Sequence, residues 1–463
     1  MLEEHPELFW KESDTVFHQV GGFSRISQIV NEIRRQQESV LFIDCGDLFH
    51  GTAPLVMSKG EAVIPVMNQL GVDAFVPGNW DFAYGRERLQ ELAGKLNAPT
   101  LAANVKDAET AKPLFSPHTV KELQGVKVGI IGLTYPYVDQ TMPPAFSKGL
   151  SFSLGVEELP EHIASLKREN VDVIMLVSHM GLPLDVKLAS LVDGIDVILS
   201  GHSHDRLTQP IFTNGTAIIQ SGASGSFLGK IELEIDAQKI TNIKHALLPM
   251  YADLFTIDPE MDQIVQQTLA PYKEQLAEVV GRVETPLHRM TLNEAPMDRF
   301  ITDAYLQAVD ADVAFSHGWR YGAPITPGPL TMEHLHQIIP TNPELFVMEV
   351  EGATLLNALE KNLEQVFAPD PFDQKGGYIL RASGLFMAFK PYNPAGNRIQ
   401  HLEIGGQLFD SGKSYRVAGA GEQLFKGIKA ERVKQNIKAV DVLKQVAQSR
   451  AVSIDNIPRV LSI

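Results

Sequence analysis

The sequence predicts an α/β protein of two domains, and three observations carry that prediction. Apolar runs alternate with amphipathic helical segments up to about residue 255, with further strands in series at the end of that region. The chain has 463 residues, too many for one ordinary core. A long polar helical stretch over 258–280, with Pro271 inside it and few turn signals, reads as a connector.

Residues 1–20 read as a loop that enters mid-domain, because no opening strand is visible. Gly21-Gly22 then opens a helix in which Phe23, Ile26, Ile29, Val30 and Ile33 fall at helical spacing, with Arg34 and Arg35 near its end. A strand through Leu41-Phe42-Ile43 follows, then helices around 60–70 and 86–96 with the strand Ala74-Phe75-Val76 between them. A short strand is expected near 100–103 and a strong one over 126–131. A helix over 156–169 precedes the strand Val173-Ile174-Met175-Leu176-Val177. The run 195–199 is another strand, with two more near 217–220 and 229–235. A second α/β unit begins at Gly281, with helices over 297–309 and 353–367. Its strands fall at 312–316, 379–389, 398–404 and 415–418. The expected division is therefore 1–255, a connecting helix 256–280, and 281–463.

Composition narrows the function. Hydrophobic residues make up 44% and charged residues 21%, as in globular proteins. The net charge of -16, from 40 Lys+Arg against 56 Asp+Glu, repels nucleic-acid backbones and anionic membranes, so neither is an expected partner. A locally positive pocket for a small anion remains compatible with it. The single cysteine, Cys45, excludes an internal disulfide framework and reads as a small buried residue at a strand end. No apolar run reaches membrane-span length, and residues 1–5 have neither a basic nor an apolar leader region. As written the chain is expected to be cytoplasmic, or exported if its N-terminus is truncated.

Four strand ends carry the chemistry. The strand to Ile43 leads to Asp44-Cys45-Gly46-Asp47, and the next to Pro77-Gly78-Asn79-Trp80-Asp81. The run 173–177 leads to Ser178-His179-Met180-Gly181, and 195–199 to Ser200-Gly201-His202-Ser203-His204-Asp205. Open α/β sheets bind ligands at such strand ends. Any one of these dipeptides is an ordinary turn; all four, in order, describe a metal site. Imidazoles with hard oxygens suit Mn, Fe or Zn rather than Ca. Asp47 is the natural bridge between two divalent cations. Asn79, His179 and His202 complete one site, and His204 serves the other.

These motifs resemble the calcineurin-like metallophosphoesterases, specifically the 5'-nucleotidase group with its dedicated C-terminal domain. The resemblance rests on Gly46-Asp47…Gly51, Gly78-Asn79…Asp81, His179 and Gly201-His202-Ser203-His204, and it covers nearly the whole chain. It implies a four-layer α/β/β/α catalytic domain, a connecting helix, and a substrate-recognition domain that closes over the metals. It also implies hydrolysis of a phosphomonoester, nucleotide-like, with two divalent metal ions, manganese first and Zn or Fe as alternatives.

Two departures follow. The family opens with a strand ending in Asp-x-His, two ligands of the first metal, and this chain starts after that point; His5, before Pro6, does not match. Where the family has a histidine that assists the leaving group, this chain has Trp80, whose indole N–H cannot shuttle a proton at neutral pH. Trp80 and Asp81 hold the positions the resemblance marks as catalytic.

Asn79-Trp80-Asp81-Phe82-Ala83-Tyr84-Gly85, the stretch 315–322 and the stretch 369–377 are similar to the SoxB-type thiosulfohydrolases. In that branch a dimanganese centre releases sulfate from a cysteine-linked carrier protein. A sulfur-carrier protein is then a partner. The branch has His where Asn79 stands and Glu where Asp81 stands, so the substrate stays open. A third reading, a catalytically silent homologue that keeps the fold and one metal, rests on the missing Asp-x-His.

In the second domain Arg320 follows a strand and a glycine. Its guanidinium either forks onto phosphate or sulfate oxygens or makes a surface ion pair. Asn342 is a substrate contact or only a turn residue. Gly376 and Gly377 read as a flexible pocket wall. Tyr378 or Phe372 stacks on a substrate ring or packs in the core.

Overall fold

The computed structural model describes residues 1–463 except 13, 237 and 456. The chain divides into two compact units. One comprises Met1–Glu7 and His18–Pro271, the other Leu8–Phe17 and Tyr272–Ile463.

The first unit is built on a six-stranded sheet. Its order is Ile211–Thr213, Thr216–Gln220, Val197–Ser200, Val173–Ser178, Val126–Leu133, His118–Leu123. The four inner strands are parallel and both edge strands antiparallel. Every residue of Val173–Ser178 is buried, as expected of a strand covered on both faces. A smaller pair, Ile43–Asp44 with Ala74–Phe75, and the long hairpin Phe227–Asp236 with Lys239–Pro249 form separate sheets. Ala74, Val76, Val128, Ile130, Val173 and Met175 share one core, against which Ile43, Leu233 and Ile235 pack. Sheet therefore packs on sheet, with helices such as Phe23–Gln36, Leu159–Arg168 and Leu182–Leu191 in the same unit.

Several sequence expectations need correction. Residues 1–20 are not a loop but a hairpin, Glu4–Lys11 with Asp14–Gly21. Its first strand turns polar groups inward, which hid it from hydropathy. His5 and Glu7 are buried and meet at the Ser226 hydroxyl, His5 Nε2 at 3.0 Å and Glu7 accepting at 2.7 Å. The strand through 41–43 forms a ladder of only two residues, because Ala74–Phe75 alone pairs with it. The expected strand near 100–103 is two isolated bridges, Phe75 with Thr100 and Leu101 with Ser116. The helix expected around 60–70 opens as a 3-10 turn, Glu61–Val63, and continues as Ile64–Leu70; a separate short helix, Ala53–Met57, precedes it. The connecting helix runs Pro259–Leu276, shorter than 256–280, and the following strand Val279–Val283 pairs with Gly328–Thr331. No helix among the described residues is long and apolar enough to cross a membrane.

The second unit holds a five-stranded sheet in the order Arg381–Ser383, Val313–Ser316, Ser414–Ala420, Glu344–Glu351, Val433–Lys438. A four-stranded sheet contains Leu385–Phe389 and Ile399–Ile404. Val313, Phe315, Met348, Leu359, Met387 and Val417 join the two sheets and the helix Gly352–Phe367 in one core.

Candidate metal centre

The parallel strands end together, so the residues just after Ser178 and Ser200 emerge side by side. His179 follows the first and Gly201-His202-Ser203-His204 the second. Asp47 follows Ile43–Asp44, and Asn79 comes shortly after Ala74–Phe75. Close approach of these loops requires glycine: a Cβ on Gly46 would lie 2.6 Å from both Gly78 N and His179 Nδ1. Three of the expected ligands themselves have left-handed backbones, Asp47 at φ 62, His202 at 69 and His204 at 65. Such strain costs about 1–3 kcal/mol per residue and persists only where the surroundings enforce it.

Ligand atoms of Asp47, His179 and His202 lie within 4.8 Å of one another. His179 Nδ1 meets the Cys45 carbonyl, which puts the proton on Nδ1 and leaves Nε2 as a lone pair. That Nε2 is buried and 3.2 Å from Asp47 Oδ2, yet it makes no aligned hydrogen bond. Two lone pairs so placed need a proton or a cation between them. Burial opposes a charge on each, but each favours the other's. The His179 pKa is raised, and that of Asp47 lowered by His179, the Trp80 N–H and His204. His202 Nδ1 lies 3.0 Å from Asn79 Oδ1, and its ring stacks on Tyr135 at 4.2 Å. Two donors about 2.1 Å from one cation and at right angles to each other sit about 3 Å apart, so these pairs fit a divalent ion. His204, read as serving the other site, lies outside this group of three and helps to lower the Asp47 pKa.

Asp81, which the resemblance places at a catalytic position, is engaged by the backbone of the site. It is fully buried, and its carboxylate accepts the N–H groups of Asp47 at 2.8 Å, Phe49 at 2.7 Å and Gly78 at 2.7 Å. Burial, with the Asp47 charge, pushes its pKa up to about 7, and the N–H donors act against this. Asp81 thus ties the Asp47 loop to the Asn79 loop. Trp80 gives its backbone N–H to Asp47 Oδ1 at 2.8 Å. Its indole stacks on His50 at 4.7 Å and meets Phe146 edge-on at 6.1 Å.

In the second unit, Arg320 and Tyr378 come together. The Arg320 guanidinium lies 5.8 Å from the Tyr378 ring centre and that of Arg381 5.4 Å. The Tyr378 N–H donates to the Gly318 carbonyl at 3.1 Å, which joins the loop after Val313–Ser316 to the left-handed pair Gly376-Gly377. Asn342, read as a substrate contact or a turn residue, closes a turn by donating its N–H to the Ile339 carbonyl at 3.1 Å. Its Oδ1 accepts the Val440 N–H at 2.9 Å, at the start of the helix Ala439–Ser449. Sequence reasoning missed the support beneath Arg320. Arg289 and Asp298 form a buried ion pair at 3.1 Å, and Asp298 also takes the Ser316 hydroxyl at 2.7 Å. The available signal was Asp298, buried in the first turn of the helix Pro296–Ala308.

Comparison with known proteins agrees with this geometry. Residues 12–206 match the family described as calcineurin-like phosphoesterase, and residues 279–427 match the 5'-nucleotidase C-terminal domain. The 5'-nucleotidase of Vibrio cholerae is 24% identical, over 89% of this chain and 82% of its own length. The 5'-nucleotidase of Bos taurus is 26% identical, over 83% of this chain and 73% of its own. Among solved structures, the Thermus thermophilus sulfate thiohydrolase SoxB is 29% identical. It superposes with a TM-score of 0.89, covering 96% of this chain and 83% of that one. A Thermus thermophilus 5'-nucleotidase precursor is 25% identical with a TM-score of 0.87, covering 99% and 96%. The chain belongs to the calcineurin-like phosphoesterases with a 5'-nucleotidase C-terminal domain, a group of metal-dependent phosphoester hydrolases.

Proposed function

We propose that this chain hydrolyses a phosphate monoester of nucleotide type, using two divalent cations, with manganese the best match to its imidazole and oxygen donors. The observation that carries the reading is the buried Asp47–His179–His202 group, with the His179 tautomer set by the Cys45 carbonyl. Asp47, Asn79, His179 and His202 would hold one cation, and Asp47 with His204 the other. When bound, such cations polarise the phosphoryl oxygens and supply a hydroxide nucleophile at neutral pH. The protein's part is to orient. The Trp80 N–H fixes Asp47, and Asp81 fixes the loops. No imidazole stands at position 80 to donate a proton to the leaving group, so esters with acidic leaving groups are favoured.

That same residue favours a second reading, in which a cysteine-linked thiosulfonate on a carrier protein loses sulfate. Water attacks the sulfonate sulfur, the S–S bond breaks, and the persulfide departs with a proton. A persulfide leaves more readily than an alkoxide, so the missing general acid costs less. The likeness to the sulfate thiohydrolase supports this second reading.

The experiment compares kcat/KM with Mn²⁺ for AMP, p-nitrophenyl phosphate and a peptide bearing a cysteine S-thiosulfonate. The first reading expects both phosphates to turn over, the nitrophenyl ester faster. Trp80→His should raise AMP turnover and narrow the gap, within the roughly 10²–10⁴-fold credited to general acids. Turnover of the peptide with neither phosphate hydrolysed would reject the first reading for the second. AMP turned over as fast as the activated ester would reject the role given to Trp80.

A further inference from the structure

The histidine loop is held from beneath by one side chain, Gln220. In the parallel ladder between Val197–Ser200 and Thr216–Gln220 the last pair is Ser200 with Gln220. That register puts Gln220 where the chain leaves the sheet for Gly201-His202-Ser203-His204. Gln220 is 1% exposed, so its carboxamide must find partners inside the protein. It finds them in this loop and at its root. Nε2 donates to the Gly201 carbonyl at 2.8 Å and to the Ser200 hydroxyl at 2.7 Å, with Ser203 Oγ at 3.0 Å. Oε1 accepts the Asp205 N–H and the Ser203 hydroxyl, the latter at 3.1 Å. A carbonyl cannot donate and an N–H cannot accept, so Gly201 and Asp205 decide which end of the amide is which.

The two backbone groups it grips, on Gly201 and Asp205, bracket His202 and His204. Both histidines are left-handed, a conformation that β-carbon sterics disfavour and an untethered loop would abandon. The grip extends further. In the neighbouring ladder Ser200 pairs with Ser178, whose hydroxyl donates to Asp185 at 2.6 Å and accepts the Met180 N–H at 3.1 Å. Buried polar contacts thus flank both His179 and the His202–His204 segment.

We infer that Gln220 is a positioning residue for the metal centre: it sets divalent-cation affinity by holding His202 and His204 in their left-handed geometry, through the loop's main chain and hydroxyls rather than the imidazoles. This rests on the metal-site reading above. Two substitutions of the full chain separate its parts. Gln220→Met keeps the length and removes every hydrogen bond. Gln220→Glu keeps the acceptor for Asp205 and Ser203 and loses the donor for Gly201.

The measurement is Mn²⁺ affinity by calorimetric titration of the metal-stripped protein at pH 8, with circular dichroism confirming the fold. Supporting residues of this kind change metal affinity by about 10–100-fold. Gln220→Met should lose that much and Gln220→Glu less. A residue that only stabilised the fold would lower the melting temperature and leave the affinity of the folded protein unchanged. Wild-type affinity in the folded variants would overturn the inference and leave the metal site standing. Wild type that binds no Mn²⁺ would overturn the metal-site reading, and the role of Gln220 with it.

Discussion

Asp81→Asn separates a structural role from a chemical one. The Asp81 carboxylate accepts three backbone N–H groups, two on Oδ2 and one on Oδ1. Asparagine has the same shape but only one acceptor oxygen. Its best orientation keeps the carbonyl towards Asp47 and Gly78 and turns its NH₂ against the Phe49 N–H. That leaves one buried N–H unsatisfied, at about 1–3 kcal/mol. Loss of the charge adds nothing to this, because burial and the Asp47 charge already work against it. The expected destabilisation is about 1–3 kcal/mol, confined to the first unit. Urea unfolding followed by tryptophan fluorescence measures it, with Mn²⁺ titration and p-nitrophenyl phosphate turnover on the same samples. Stability and metal affinity should fall together, because the clamp joins the Asp47 and Asn79 loops. An unchanged unfolding midpoint with collapsed turnover would refute this reasoning and return Asp81 to the chemical role its sequence position implies.

Other outcomes follow from the same structure. Arg320→Ala should lower kcat/KM about ten- to hundredfold at saturating metal, since a charge-assisted contact contributes roughly 1.5–3 kcal/mol, with metal content unchanged. Arg320→Lys should recover only part of it, and an unchanged kcat/KM in the alanine variant would move anion recognition elsewhere. For His5, burial first and the N-terminal charge second lower the pKa to about 3. The unfolded chain therefore takes up a proton below about pH 6.5 that the folded chain refuses, so stability is full above that pH and declines as pH falls towards 3. Between pH 7.5 and pH 5 this contributes roughly 2 kcal/mol, which His5→Gln should abolish; equal losses in wild type and variant would exclude His5 as the cause.

The sequence by itself determined the class of fold and the place of the site. Val173–Ser178 and Val197–Ser200 are apolar runs of largely buried residues, and a histidine follows each within two residues, so the strand and the proposed ligand are both local signals. Asp47 and Asn79 are legible for the same reason, as polar residues beside glycines at strand ends. The opening hairpin was not legible. His5 and Glu7 face inward because residues about two hundred positions later meet them: Ser226 offers a hydroxyl between them, and Arg206 pairs with Glu7 at 2.8 Å.

What only the tertiary structure decided is how each polar side chain is satisfied. Asp81, Asn342 and Gln220 are alike in sequence, each a polar residue near a turn or a strand end, and nothing local distinguishes a ligand from a clamp. Asp81 is a clamp because three N–H groups from two loops converge on it. Asn342 caps a helix that begins about a hundred residues away. Gln220 grips the histidine loop because the sheet register sets it beside Ser200. A hydrogen bond depends on tenths of an ångström between residues distant in the chain, and hydrophobic periodicity carries no record of that distance.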